Sequence, residues 1–466
     1  MTNKKGANEM KQKQFEQYKR ILRFLVAMLS ILGTTLIFTV VWIQFYNKGT
    51  VFPYYMKGHW MMGAVYALLC CVFMFTYGGM KFGYLKRGNI IFSQILSVLC
   101  ANVIGYLLIV LLSARFVTVL PMLAATAIDI VAIIIWVTVT DIMFKKLFPP
   151  RKILLLFEQY NAEELMYKMS SRKDRYEISE MLDVKVGWDK IIEKIEKYDA
   201  VLIYDVHSEL RNKILKHCYE KSVRVYTTPK ISDIIIRSSE SIHLFDTPLL
   251  LSRNTGLTFE QKFVKRAMDI VISGLGLIVA SPFMLLTAIA IKLYDGGPVF
   301  FKQARCTING KVFYIHKFRS MIVDAEKDGI SIPASDKDPR ITPVGDFIRK
   351  TRLDELPQLL DILVGNMSVV GPRPERIEHV EKYTKDIPEF EYRLKVKGGL
   401  TGYAQIYGKY NTTAYDKLKL DLMYIQNYSV LMDIRLILMT VKIMFMKEST
   451  EGFNEKRISE IQSKDL

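Results

Sequence analysis

Four long apolar runs dominate the first third of the chain. They cover residues 21–43, 59–77, 90–112 and 116–144. About 20 helical residues cross the hydrocarbon core of a bilayer, so the pattern predicts four membrane-spanning helices in a domain at 21–148. Buried helices of a soluble protein are the alternative, but four such runs in succession need more core than this chain can enclose.

The polar segments around these runs indicate their orientation. Lys and Arg are dense in residues 1–20, in the loop that holds Lys81, Lys86 and Arg87, and after the fourth run, but sparse in the other two loops. By the positive-inside rule, both ends of the domain face the cytosol. Residues 1–20 are long and polar without a small-residue cleavage site, so we expect a cytoplasmic tail rather than a cleaved signal peptide.

The pattern changes after residue 150 to short apolar strands that alternate with helical stretches. The strand segments read ILLLF, YEISEML, AVLIYD and VRVYTT, and helical stretches at 189–197 and 210–220 separate them. This alternation predicts a Rossmann-like α/β middle domain at 149–250 with a parallel sheet. No glycine follows the first strand, so the phosphate-binding turn of a dinucleotide site is missing. A structural, regulatory or self-association role is therefore favoured over nucleotide binding.

A fifth apolar run, at 267–293, is interrupted by Ser281 and Pro282. Basic residues flank it on both sides, so both flanks prefer the same membrane face. The pattern predicts a re-entrant helix-break-helix, in which Pro282 removes one backbone hydrogen bond and the Ser281 hydroxyl bonds back to a carbonyl one turn earlier. A kinked spanning helix is the alternative.

Composition agrees with a membrane protein and adds charge. The 466 residues are 50% hydrophobic, with a formal net charge of +17. That charge fits nucleic acid, an anionic bilayer or phosphorylated substrates, and nucleic acid is the poorest of the three because no nucleic-acid motif accompanies it. Three of the five cysteines lie in apolar runs and the other two stand alone, so neither a disulfide framework nor a thiolate metal site is indicated.

The acid pair Asp354-Glu355 is the strongest candidate for chemistry. Asp354 is predicted as an N-cap, Pro357 as part of the first helical turn, and residues 359–363 as the apolar face of the helix that follows. Both carboxylates would then lie at the positive end of a helix, where they can flank a phosphate or a metal ion. An ordinary capping role for Asp354 is the alternative.

Candidate phosphate ligands lie on both sides of this pair. The Asn309-Gly310 turn predicts a hairpin whose second strand, 311–321, places Lys317 and Arg319 on one face. Two cations so spaced can hold a diphosphate, although a solvated strand face has the same pattern. Arg373 lies between two prolines, which leaves it little entropy to lose on binding phosphate. His316 is expected to be structural, because no second His or Cys lies at metal-ligand spacing.

The motifs YIHKFRSM, LDELPQL, GNMSVVGPRP and GGLTGYAQIYGK together resemble the catalytic domain of the bacterial sugar transferases, which are polyprenyl-phosphate sugar-1-phosphate transferases or monotopic phosphoglycosyl transferases. The resemblance covers residues 262–447. It implies an α+β catalytic domain at 260–450 and a hairpin that enters and leaves the membrane on one face. It also implies that Lys317, Arg349 and Arg373 contact substrate phosphates.

The chain departs from the family pattern at several positions. Gly398 stands where the family usually has proline, and Lys409 stands where it usually has arginine. The lysine keeps a charge that can bind phosphate but lacks the paired N–H donors of a guanidinium. Cys306-Thr307 replaces a small apolar residue and a glycine. Asp421 matches an acidic position of the family, and its role is left open.

The function implied is transfer of a sugar 1-phosphate from a UDP-sugar to polyprenyl (undecaprenyl) phosphate, with release of UMP, as the first step of surface polysaccharide assembly. We expect Asp354 to be the nucleophile, and Glu355 with Asp354 to hold Mg²⁺ or Mn²⁺ against the repulsion between anions. The resemblance places the protein in the bacterial inner membrane with its catalytic domain on the cytoplasmic face, and it leaves a homodimer open.

A non-catalytic membrane scaffold is the competing hypothesis, and it predicts loss of the pocket acids and cations, which are all present. The sugar is not specified by any motif. The apolar stretch 431–446 is short for a span and is expected to be an amphipathic helix at the membrane surface. Residues 451–466 read as a polar C-terminal tail.

Overall fold

The computed structural model describes residues 2–158, 162–252, 256–323, 325, 338–409 and 412–444, with side chains from residue 17 onward except residue 164. The chain divides into two compact units, one up to Thr228 and one that begins at Pro229.

Four long helices open the first unit. They are α1 (Thr2–Val41), α2 (Lys57–Tyr77), α3 (Arg87–Ser113) and α4 (Leu120–Leu147). A shared core of Trp42, Tyr66, Ile109 and Val137 packs between them. Their outer faces are also apolar, as expected of helices that need a non-aqueous surrounding rather than water. The predicted apolar helices are confirmed, although α1 begins near the chain start and α4 begins four residues later than predicted, with Pro121 in its first turn.

A parallel sheet completes the first unit. Its strands and helices alternate as β1 (Arg151–Phe157), α5 (Glu163–Ser170), β2 (Tyr176–Asp183), α6 (Trp188–Ile195), β3 (Ala200–Tyr204), α7 (Ser208–Glu220) and β4 (Arg224–Thr227). The strand order is β2-β1-β3-β4, and every pairing is parallel. The central strand β1 is buried on both faces, which explains its uninterrupted apolar sequence. The α/β content predicted from the sequence is confirmed.

The second unit begins with α8 (Ile231–Arg237), a β-hairpin of β5 (Glu240–Leu244) and β6 (Thr247–Leu251), and the long helix α9 (Phe259–Asp295). A second hairpin, β7 (Phe300–Cys306) and β8 (Val312–Phe318), follows. The remaining elements are α10 (Pro343–Lys350), α11 (Gln358–Val364), β9 (Ser368–Val370), α12 (Ile377–Asp386), β10 (Gly399–Thr401), α13 (Tyr403–Tyr407), α14 (Ala414–Gln426) and α15 (Val430–Met444).

Helix α9 differs from the predicted helix-break-helix. It is one helix with Pro282 inside it, so no non-helical residues separate its two halves as the predicted break would require. A bend at Pro282 stays a prediction. A proline removes only one backbone donor, and the Ser281 hydroxyl does donate to the Ile278 carbonyl at 2.8 Å, as predicted. Together, these two facts account for the continuity of the helix.

Both ends of α9 contact the same globular unit. Near its start, Lys265 pairs with Asp433 of α15 at 2.6 Å, and Asp269 accepts the Val369 N–H at 2.9 Å. At its end, Asp295 pairs with Arg319, which follows β8. The residues between these anchors carry large exposed apolar side chains, including Ile278, Val279 and Leu285. The middle of α9 therefore packs against the core through one face, where Ala280 is buried, and lacks protein cover on the opposite face.

Five helical segments are long and apolar enough to cross a membrane among the described residues. They are Gln17–Gly49, Lys57–Tyr77, Arg87–Ser113, Leu120–Leu147 and Phe259–Asp295. The predicted C-terminal helix is present as α15, whose buried residues include Asp433 and Leu436. The predicted polar tail at 451–466 lies outside the described residues.

Candidate active site

Asp354 and Glu355 lie in a short 3-10 turn, Leu353–Glu355, between α10 and α11. The backbone enters this turn through Arg352 in the left-handed region, with φ of 59°. The predicted cap is wrong, because α11 begins only at Gln358 and no side chain caps it. Asp354 does not satisfy a backbone donor here. Its Oδ1 is buried and has no hydrogen-bond partner within the described part of the chain.

Glu355 is the centre of a cluster of cations. Its Oε1 accepts hydrogen bonds from Arg373 at 2.5 Å and from Lys317 at 3.0 Å. Its Oε2 lies 3.8 Å from a guanidinium nitrogen of Arg352. Hydrogen bonds between two charged groups are stronger than neutral ones, so this cluster fixes the Glu355 side chain. The neighbouring Asp354 carboxylate is left with a free oxygen.

The surroundings drive the pKa values of the two carboxyls in opposite directions. Burial opposes ionisation of Glu355, but the charges of Arg373, Lys317 and Arg352 outweigh burial and hold its pKa well below the ordinary value. Burial raises the pKa of Asp354, and the negative charge of Glu355 raises it further. Divergent pKa values in adjacent carboxyls are a recurrent feature of catalytic pairs. Here one carboxylate serves as a fixed charge and the other is the more basic oxygen.

Lys317 reaches the cluster from β8, on the strand face that also buries Phe313 and Ile315 against α11. Burial lowers the pKa of Lys317, and the Glu355 charge opposes that shift. The next residue of the same face, Arg319, lies beyond the end of β8. Its side chain is buried against Asp295 of α9 instead. The structure therefore places Arg319 on Asp295 and not at the acid pair, and its phosphate-binding role stays a prediction.

Arg373 is held from behind by a buried ion pair. Arg393 donates to the Arg373 carbonyl at 2.9 Å, and Asp421 of α14 binds the Arg393 guanidinium through nitrogens at 2.9 and 2.8 Å. Arg393 and Asp421 are 2% and 1% exposed, so neither faces solvent. Asp421 therefore lies behind the Pro-Arg-Pro turn and contacts it through Arg393.

The other predicted residues lie at varying distances from the pair. Arg349, on α10, is half-buried, and its positive charge lowers the pKa of Asp354 without a direct bond to it. Lys409 is exposed in the segment after α13, where its N–H donates to Thr412 Oγ1 at 2.7 Å. His316 binds the buried Asp361 through both its backbone N–H, at 2.9 Å, and its ring, at 2.7 Å. These bonds join β8 to α11 and fit the structural role predicted for His316.

Three further residues at the site were missed by sequence reasoning. Arg305 of β7, Gln358 of α11 and Pro374 line a small pocket together with Lys317 and Arg373. The sequence does contain a pattern that predicts the position of Arg305. The turn at Asn309-Gly310 fixes the pairing of Arg305 with Phe313, and directly opposed residues share one sheet face, so Arg305 and Lys317 must lie on the same side of the hairpin.

The two carboxylates offer part of a binding site for a divalent cation. No cluster of three or more His, Cys, Asp or Glu side chains occurs among the described residues. Mg²⁺ commonly takes one or two carboxylates together with substrate phosphates and waters, so a complete protein cage is not required. The unpartnered Oδ1 of Asp354 fits this donor set. Glu355 is less available as a metal ligand, because both of its oxygens already contact cations.

Comparison with known proteins agrees with this site. Residues 260–447 match the family model described as bacterial sugar transferase. The chain is 38% identical over 234 residues, 49% of its length and 50% of the relative's, to the UDP-glucose:undecaprenyl-phosphate glucose-1-phosphate transferase of Escherichia coli (strain K12). It is 36% identical over 252 residues, 53% of its length and 59% of the relative's, to the UDP-N-acetylgalactosamine-undecaprenyl-phosphate N-acetylgalactosaminephosphotransferase of Aeromonas hydrophila.

A shorter relative is covered almost completely. The chain is 42% identical over 187 residues, 38% of its own length, to 93% of the exopolysaccharide production protein PSS of Rhizobium leguminosarum bv. phaseoli. The long apolar helices and the cation-held acid pair agree with the family that these comparisons indicate. The chain belongs to the bacterial sugar transferase family. It spans about half the length of the longer relatives named above.

Proposed function

We propose that the protein transfers a sugar 1-phosphate from a UDP-sugar to a polyprenyl phosphate and releases UMP. The single observation that carries this proposal is the free, buried oxygen of Asp354 beside the cation-held Glu355. The names of the two longer relatives add that their substrates are UDP-sugars and undecaprenyl phosphate. This reaction would begin assembly of a surface polysaccharide, in keeping with the name of the Rhizobium relative, an exopolysaccharide production protein.

The reaction proceeds by two displacements at one phosphorus. In the first, an oxygen of Asp354 attacks the phosphorus that carries the sugar, the diphosphate bridge breaks, and UMP leaves with the bridging oxygen. In the second, an oxygen of the lipid phosphate attacks the same phosphorus and the bond to Asp354 breaks. Splitting one difficult transfer into two easier ones is the advantage of a covalent intermediate.

The cations lower the barrier through electrostatics. Lys317 and Arg373 face the site from two different elements and are already fixed by Glu355, so they need little reorganisation when charge develops on the phosphate oxygens. Arg349 adds a positive charge at longer range. Lys409, an exposed lysine in the segment after α13, stays a proposed further phosphate ligand.

A divalent cation belongs to the proposal as a resident cofactor. Asp354 would hold Mg²⁺ or Mn²⁺ through the carboxylate oxygen that lacks a partner, with Glu355 as a second ligand. When bound, the metal neutralises charge on the diphosphate, which otherwise repels an attacking carboxylate. Glu355 and its cations keep the adjacent carboxylate oriented for that role.

The contacts of α9 support a proposal for where the site lies relative to the membrane. Since both ends of α9 contact one globular unit, we propose that it enters and leaves the membrane on one face rather than crossing it. The first four apolar helices would span the inner membrane and leave the site at the cytoplasmic surface, where a soluble UDP-sugar meets a lipid phosphate. Single cysteines at Lys262 and Lys302, probed with a membrane-impermeant thiol reagent, should both react only from the cytoplasmic side. Labelling of the two from opposite sides would show a spanning helix instead.

The reaction itself is tested by UMP release from the purified full chain. We expect release with one or a few members of a UDP-sugar panel, in the presence of Mg²⁺ and polyprenyl phosphate. Asp354→Asn keeps the side-chain shape but removes the nucleophilic charge, and it should reduce release at least about a thousandfold. Asp416→Asn, at a half-exposed acid of the same unit, serves as the matched control and should retain activity. Folded protein that releases no UMP with any sugar would favour a non-catalytic scaffold.

A further inference from the structure

A small pocket beside the acid pair is lined on several sides by nitrogen donors. Arg305, Lys317 and Arg373 contribute three cations to its wall, and Gln358 contributes an amide. Lys317 and Arg373 are paired with Glu355, whereas Arg305 makes no ion pair with a carboxylate among the described residues. The wall therefore carries more positive charge than the one acid in contact with it balances.

Gln358 is the most informative residue of this pocket. It is the first residue of α11, it is only 2% exposed, and its Nε2 has no hydrogen-bond partner in the part of the chain that the structure describes. Buried amide donors are nearly always satisfied, and an unsatisfied one is costly unless it meets a partner at some stage of function. A side chain of this kind at the edge of a cationic pocket indicates an acceptor that arrives from outside.

Arg305 presents a second such donor. Its Nη1 donates to the Pro374 carbonyl at 3.1 Å and its Nη2 to Gln303 Oε1 at 2.6 Å, so the guanidinium is fixed in place. Its Nε is buried and has no partner in the described residues. Burial and the nearby charge of Arg373 lower the pKa of Arg305 to about 10, although the charges of Glu375 and Glu355 oppose that shift.

We propose that Arg305 and Gln358 form a phosphate-binding subsite, in which the Arg305 Nε–H and the Gln358 Nε2–H donate to oxygens of one phosphate group. A fixed guanidinium and a buried amide suit a phosphate, because they provide charge together with directional donors and lose little entropy on binding. The subsite deepens the proposed function and depends on it only for the identity of the molecule that carries the phosphate. That molecule is either the UDP-sugar or the lipid acceptor.

Binding of inorganic phosphate tests the subsite without turnover. Thermal unfolding of the full chain in nanodiscs, over a series of phosphate concentrations, yields an apparent Kd from ligand-dependent stabilisation. We expect Arg305→Met and Gln358→Glu each to weaken phosphate binding at least about tenfold. Gln358→Met should weaken it less than Gln358→Glu, because it removes the donor without adding a repelling charge. Arg305→Lys should retain part of the affinity.

A matched control separates this charge effect from general damage. Gln426→Glu alters a glutamine on α14 that bonds to Ser238 outside the pocket, and it should leave phosphate affinity unchanged. Wild-type affinity in both Arg305→Met and Gln358→Glu would overturn the subsite, and so would a wild-type protein that phosphate does not stabilise. Equal losses in Gln358→Glu and Gln358→Met would also overturn it, because packing alone would then explain the effect.

Steady-state kinetics distinguish the two sources of the phosphate. If the subsite holds the UDP-sugar, Gln358→Glu should raise KM for that substrate and leave KM for polyprenyl phosphate unchanged. If it holds the acceptor, the reverse should occur. Unchanged values of both would refute a role in substrate binding. Absence of UMP release by the wild-type protein would refute the proposed reaction, whereas the phosphate titration would still decide whether the subsite exists.

Discussion

The buried ion pair between Arg393 and Asp421 allows a quantitative prediction. Its two side chains are 2% and 1% exposed, and their contacts are 2.9 and 2.8 Å long. Asp421→Asn would leave the Arg393 guanidinium buried, with Glu375, at 3.7 Å, as its next acidic neighbour. The substitution tests whether Asp421 supports the Arg373 turn from behind, as its position indicates.

The expected loss of stability follows from that burial. Breaking a buried pair by removing one partner costs about 3–5 kcal/mol. Because Glu375 compensates part of the charge, we expect about 3 kcal/mol. For a domain of about 150–250 residues, each kcal/mol lowers the unfolding midpoint by about 2–4 °C. The midpoint of the Asp421→Asn protein should therefore fall by about 6–12 °C.

The assay is thermal unfolding of the purified chain in detergent, followed by intrinsic fluorescence and paired with UMP release at a temperature where both proteins are folded. Asp416→Asn is the control, since Asp416 lies on the same helix but is 43% exposed in its pair with Lys419. Because the Asp416 carboxylate is nearly half exposed, its pair with Lys419 contributes about 0–1 kcal/mol, so the midpoint of the control should change by less than about 4 °C. A midpoint for Asp421→Asn as close to wild type as that of the control would refute the reasoning.

Further predictions concern neighbouring parts of the same unit. Lys317→Met should raise KM for the UDP-sugar about tenfold or more, whereas Arg319→Met should lower the unfolding midpoint and leave KM unchanged; the opposite pattern would contradict both assignments. Thr307→Ala and Gly398→Pro should show a coupling energy of about 1 kcal/mol or more in a double-mutant cycle of unfolding free energies. The reason is that the Gly398 N–H donates to Thr307 Oγ1 at 3.1 Å, and additive effects of the two substitutions would exclude this coupling. Burial opposes ionisation of Glu375, but the Lys417 and Arg393 charges lower its pKa from 4.5 to about 2. The contribution of the Glu375 charge to the stability of the fold is therefore present above pH 4.5 and is lost as the pH falls toward 2. The stability difference between wild type and Glu375→Gln should shrink across that window, and a constant difference would contradict the sign.

The apolar helices and the parallel sheet were predictable because each depends on a local pattern. A long apolar run or an alternation of strand and helix can be recognised within about 10 to 30 residues. The apolar helices and the strands of the sheet both occur where these patterns predict them. Whether the first four helices span a bilayer as one domain remains a prediction. The continuity of α9 was not predictable from Pro282, because the cost of one lost hydrogen bond does not decide whether a helix ends or continues.

The acid pair and two of its cations could be found from the family resemblance, but their local geometry could not. Asp354 has the sequence signature of a cap, yet the backbone forms a 3-10 turn that brings Glu355 onto Lys317 and Arg373. Contacts between distant segments outweighed the local capping preference. Arg319 illustrates the same point, since strand alternation was correct up to Phe318 and a residue of α9 determined the next side chain.

Two departures from the family pattern turn out to be neighbours. The Gly398 N–H, which a proline would lack, donates to the hydroxyl of Thr307, which stands where the family has glycine. Gly398 also lies against Pro374, so that an added Cβ would be 2.7 Å from its ring. Sequence reasoning treated the two positions separately because 91 residues separate them.

The most direct test of the proposed mechanism is mass spectrometry of the protein after incubation with its UDP-sugar and Mg²⁺ in the absence of polyprenyl phosphate. The two-step mechanism predicts one added sugar phosphate on the peptide that contains Asp354, lost again when polyprenyl phosphate is supplied and absent from Asp354→Asn. An unmodified peptide under these conditions, with near-normal UMP release by Asp354→Asn in the complete reaction, would contradict it.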